Sequence, residues 1–174
     1  AAGASRNLGV TTATAGDLAA TLTLGLTSNA NGVADLVSSA LTAKTVAVTG
    51  AAYDLANATV DSTLAIGNVR TGTLTNLAVA NTTITAAAYQ DSLDVAATTS
   101  NAKLTLANPA NIAAGVTRNL GVTAATAGDL AATLSLGLTS NANSVAGLTN
   151  VSLAGKTVTV TGAAYDLATA TVGS

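Results

Sequence analysis

The stretch from Ser5 to Val60 recurs from Thr117 to Val172, 112 residues later, and a shorter beat runs beneath this copy. Leu18, Leu55, Leu93, Leu130 and Leu167 are separated by 37, 38, 37 and 37 residues. Each closes a related phrase: VTTATAGDL, VTGAAYDL, ITAAAYQDSL, VTAATAGDL and VTGAAYDL. A fixed period in this range marks a repeat architecture, in which a unit buries its apolar face by stacking on its neighbours. The chain is expected to be one continuous repeat region over 1–174, with units at about 18–54, 55–92, 93–129 and 130–166 and partial units at both ends. Those ends read as ordinary repeat sequence rather than polar caps, as in a piece of something longer.

Composition narrows the core that such a repeat can build. The 174 residues include no Cys, His, Met, Trp or Phe, and the eight acidic residues are all Asp. Apolar types make up 49% and charged types 8%, which is the opposite of a disordered chain. The apolar residues are mostly Ala, Leu and Val, so the interior must be thin. A net charge of −2 supplies no clustered basic surface for nucleic acid. No apolar run of membrane-spanning length is free of Ser, Asn and Gly, so no transmembrane helix is expected.

Local patterning is period two. Leu22, Leu24 and Leu26 alternate with Thr and Gly, and Leu134, Leu136 and Leu138 repeat them. Val46 and Val48, Leu64 and Ile66, Leu104 and Leu106, and Val158 and Val160 do the same. Alternation with β-branched neighbours predicts strands with one buried face. The segments TSNANG, TSNANS, IGN and NPAN between them are turn-rich. Val33, Leu36, Val37, Ala40 and Leu41 have helical spacing, but their counterparts Val145, Leu148, Thr149, Ser152 and Leu153 include β-branched residues beside Gly147. Two such similar copies share a fold, which argues against a helix. The predicted class is all-β. Because 37 residues divide into two coils of 18 to 19, the preferred architecture is a β-solenoid with the five leucines along one inner edge. The alternative is a row of β-sandwich modules 112 residues long.

Candidate sites form columns along the repeat. Asp17, Asp54, Asp129 and Asp166 precede the repeat leucines, but no calcium nonapeptide accompanies them, so turn residues are expected and no metal. Arg6, Lys44, Arg118 and Lys156 read as charges that keep an exposed face soluble. Tyr53, Tyr89 and Tyr165 fall in one phrase and are expected to plug corners. Thr alternates in TVAVT (45–49), TVTVT (157–161), TGTLT (71–75) and TTIT (82–85), which would give hydroxyl ranks on a flat face. Asn57, Asn81 and Asn150 head glycosylation triplets. With no His, Cys or Glu, the usual catalytic bases and nucleophiles are missing, and neither an enzyme nor a cofactor is expected.

As a type, the chain resembles the Ala/Thr/Asn/Val-rich β-strand repeats of large bacterial surface proteins, such as filamentous-haemagglutinin-like adhesins and some surface-layer proteins. The resemblance is compositional and covers the whole chain. It implies an extracellular or cell-surface stalk, filament or lattice segment. The expected partners are identical subunits or further repeats of the same chain, with a possible surface or glycan ligand; the alternative function is a flat, ligand-binding face for ice or glycan.

Overall fold

A computed structural model describes residues 4–172. The protein is all-β; its one helical piece among those residues is a single 3-10 turn at Ala87–Tyr89. The chain divides into two compact units, Ala1–Tyr53 and Asp54–Ser174.

The first unit is a hairpin of β1 (Gly16–Ser28) and β2 (Ser39–Ala52), which pair only with each other. The connecting turn carries Asn31, Gly32 and Asp35 at φ 52°, 74° and 65°, conformations that Gly, Asn and Asp tolerate best. Two successive bonds, Val33 N–H to Ala30 O and Leu36 N–H to Val33 O, close it. The helical spacing of residues 33–41 therefore resolves into a double turn followed by strand.

The second unit holds two sheets. One comprises β4 (Thr63–Arg70), β11 (Val151–Tyr165), β10 (Ala132–Asn141) and β6 (Ser92–Thr99) in that order, with β9 (Gly128–Asp129) also paired to β11. The other runs β3 (Ala58–Val60), β5 (Leu74–Asn81), β8 (Thr117–Ala124) and β7 (Leu104–Ala107). Leu93, Leu134, Leu136, Val158 and Val160 of the first sheet share one core with Leu77, Val79, Leu104, Leu120 and Val122 of the second. Alternation explains why: along β10, Leu134, Leu136 and Leu138 point inward and Thr133, Ser135 and Gly137 outward. Each fully buried Leu is worth roughly 1.5–3 kcal/mol relative to exposure.

The all-β class holds, and these sheets show no stack of solenoid coils. Stacked coils would pair like residues in parallel at one strand spacing. Instead the strand pairs among the described residues are antiparallel except β11 with β4. The 37-residue leucines occupy unlike places: Leu18 on β1, Leu55 in the segment before β3, Leu93 on β6, Leu130 after β9 and Leu167 beyond β11. Leu93 and Leu130 are fully buried, whereas Leu55 and Leu167 are exposed, so they form no common inner edge. The physical reason lies in the TSNANG and TSNANS turns, which reverse the chain into hairpins where a coil would have continued forward.

Candidate assembly interface

The two copies fold into the same hairpin. Leu22 pairs with Val46 and Leu134 with Val158; Leu26 pairs with Leu41 and Leu138 with Leu153. Both ladders shift register at the same place, between Leu24 and Leu26 and between Leu136 and Leu138. Even the short β9 matches, since Gly128 opposite Ala164 repeats Gly16 opposite Ala52. The turn backbone agrees too, with Asn143, Ser144 and Gly147 at φ 50°, 62° and 83°.

What surrounds them differs. β10 and β11 are flanked by β6 and β4, and the second sheet covers their apolar face. Thirteen of the 56 repeated positions differ, yet Leu18, Leu22, Leu24, Leu26, Val46 and Val48 all have identical counterparts. Val158 is fully buried while Val46 is 48% exposed, and Leu120 is fully buried while Leu8 is 64% exposed. No described residue of the first unit is buried. An open groove there is lined by Val10, Thr12, Leu18, Leu22 and Val48. Their counterparts Val122, Ala124, Leu130, Leu134 and Val160 are all core residues. The groove thus has the same apolar lining that is buried in the second unit.

A polar latch accompanies the apolar contact. Ser140 Oγ donates to Asp91 Oδ2 at 2.7 Å and accepts from Ala56 N–H at 2.8 Å, all within buried surroundings. Asn141 Nδ2 donates to Asp94 Oδ2 at 2.7 Å, and Ser92 Oγ donates to Asn143 Oδ1 at 2.9 Å. The counterparts on the first hairpin, Ser28, Asn29 and Asn31, are the same residues. The segment 54–60 is held beside this latch. Asn57 N–H donates to Asn81 Oδ1, while Asn81 Nδ2 reaches Asp91 O and Ile112 O at 2.9 and 3.0 Å. Gln90 Nε2 completes the cluster by donating to Asn81 Oδ1 at 3.0 Å.

The remaining sequence columns separate. Asp129 Oδ1 accepts the Ala131 N–H, as a turn residue does, and Asp166 accepts from Thr71 Oγ1. Asp54 Oδ2 is a buried oxygen with no hydrogen-bond donor. Among the described residues no three Asp side chains gather as a metal cluster. Arg6, Lys44, Arg118 and Lys156 are all exposed, Tyr165 is exposed, and Tyr53 and Tyr89 are half-buried. Thr157, Thr159 and Thr161 stand outward on β11, but TTIT at 82–85 lies outside any strand, so the Thr runs do not form one flat face. Asn81 is fully buried and its amide is engaged, which closes that triplet to glycosylation in the folded state; Asn57 and Asn150 are exposed.

Sequence reasoning named the leucines, read Asn81 only as the head of a glycosylation triplet, and missed Gln90, Asp91 and Ser140. The signal was faint: a QDS run at 90–92, where the other phrases have a single Asp before the repeat leucine. No family model, curated protein or solved structure matches the chain.

Proposed function

We propose that the chain is a structural repeat segment of an exported surface filament, stalk or lattice, acting through self-assembly or adhesion, with no catalytic role and no cofactor. Its partners are identical subunits or further repeats of the same kind. Its building block is a two-sheet module of one 112-residue period, the tandem β-sandwich arrangement in place of stacked coils. The second unit starts at Asp54 and its last strand ends at Tyr165, after which Asp166-Leu167-Ala168 repeats Asp54-Leu55-Ala56. One period thus closes one core.

A single observation carries the assembly reading: a hairpin with the sequence and register of a buried one lies with its apolar face and both edges uncovered. Unpaired strand edges are templates for pairing. An isolated two-stranded hairpin is also marginal in water, so such an element gains most from a neighbour. A flat face for ice or glycan has less support, because the Thr runs are split between strand and loop.

Sedimentation across a concentration series, with negative-stain imaging, tests the reading. Association that grows with concentration, giving elongated particles, is expected. A compact monomer at high concentration, with no end-to-end contacts, would contradict it.

A further inference from the structure

We propose that the uncovered face of the β1–β2 hairpin docks the β3–β7 segment, residues 54–112, of a second copy of this repeat. This rests on reading the chain as an assembling repeat, and it names the surfaces that join. The second unit shows the complex already formed. There β6 pairs with β10 and β4 with β11, β5 and β7 pair with β8, and Asp91, Ser92 and Asp94 hold the turn of the hairpin. The first copy carries the matching half throughout: Leu8 and Val10 for β8, Leu22, Leu24 and Leu26 for β10, Val46 and Val48 for β11, and Ser28, Asn29 and Asn31 for the latch.

The segment cannot come from the same molecule. In the docked arrangement Tyr165 lies beside Arg70, and Thr71 N–H donates to Tyr165 O. Tyr53, in the same place, would leave its next residue at that end of the sheet. Asp54 is instead fixed at the other end, bridged to Gln90, with Ala58 opposite Asn81. The length of β5 separates the two ends, about 24 Å for eight extended residues. One peptide step covers about 3.8 Å. A hairpin could reach its own segment only by tearing residues 54–60 from Asn81, Gln90 and Ser140. Docking on an unclosed segment of another copy needs no such break, and it leaves Asp54 free to start the next module, so the copies join head to tail.

Competition decides which segment is captured. In the docked position Ala124 is buried, where the first copy has Thr12, whose hydroxyl would have to enter the core. The resident hairpin fits its own segment better, so the incoming one takes a segment that has not closed on its own residues 117–165.

The test places an additional copy of residues 54–112 ahead of Ala1 in the full chain. The seam is natural, because Ala1-Ala2-Gly3-Ala4 corresponds to Ala113-Ala114-Gly115-Val116. Ser135 pairs with Thr98, so Thr23 should pair with the added copy of Thr98. With Thr23→Cys and Cys at that added Thr98, oxidation should give one intramolecular disulfide in high yield. The calorimetric unfolding enthalpy should rise to roughly twice that of the 174-residue chain, since enthalpy scales with the number of folded residues. Thr12→Ala should raise the midpoint further. No disulfide with an unchanged unfolding enthalpy, or loss of folding in the extended chain, would overturn the proposal. Concentration-dependent assembly of the 174-residue chain is a separate readout. It can succeed where docking fails, and docking can succeed where assembly fails.

Discussion

The β1–β2 and β10–β11 hairpins share sequence, register and bulge, but only the second has neighbours on its face and edges. Their common features are therefore local products. The TSNAN turn, with its left-handed Asn and Gly or Ser, fixes where the chain reverses, and period-two patterning fixes which residues share a face. Burial is not local. It comes from β4 to β8, which pair with or pack against β10 and β11. A sequence can thus hold a strand pair in register without holding it in a core.

Paired substitutions turn this difference into measurements. The largest effect is expected at Leu134, where change to Ala removes a fully buried side chain and leaves a cavity, costing about 2–5 kcal/mol. Leu22→Ala, its counterpart in the open groove, should cost under about 1 kcal/mol, because little apolar surface returns to water. Denaturant melts of the two variants check the contrast, and equal losses would break it.

Next comes Gly162, at φ 152°, where an added Cβ would lie 2.6 Å from Gly67 O on β4. Gly50 has nearly the same backbone, φ 149°, but its nearest atom is Leu18 Cδ1 at 3.9 Å. Ala at either site meets the same backbone strain, of about 1–3 kcal/mol. Only Gly162→Ala should add to it, by separating β11 from β4. Thermal melting separates the two, and a Gly162→Ala variant no worse than Gly50→Ala would mean that β4 does not pair there.

A smaller effect is expected from the latch. Ser140→Ala leaves the Ala56 N–H and Asp91 Oδ2 without their buried partner, a cost of about 1–3 kcal/mol. Ser28→Ala should be silent to within about 0.5 kcal/mol, as surface substitutions are. The smallest effect belongs to the basic column. Lys44→Ala and Lys156→Ala should each move stability by under about 0.5 kcal/mol, since both are exposed.

The strands were legible because each carries its own signal. The alternating Leu22, Leu24 and Leu26 and the paired Val158 and Val160 mark faces without help from the rest of the chain. The rejection of a helix at 33–41 came from comparing two copies, and the turns at Asn31 and Asn143 explain why that comparison worked. Architecture was less legible. The 37-residue spacing of Leu55, Leu93 and Leu130 suggested stacking, but a spacing along the chain does not reveal chain direction, and the hairpin turns reverse it. The buried cluster of Asn81, Gln90, Asp91 and Ser140 was hidden because its members lie up to 59 positions apart and join only when Ser140 of the hairpin meets β6. Polar residues of that kind look like surface until the partner strand is known.

Hydrogen exchange on the intact chain, resolved to single amides, tests the central claim most directly, since one sample contains both hairpins. Protection depends on cooperative burial and not on register alone. The amides of β10 and β11 should therefore exchange near the rate set by global unfolding of the second unit. Those of β1 and β2 should exchange at least about a hundredfold faster at matched positions, such as Leu22 against Leu134 and Val46 against Val158, a gap of about 2.7 kcal/mol. Equal protection in the two hairpins, measured in dilute monomer, would contradict the account.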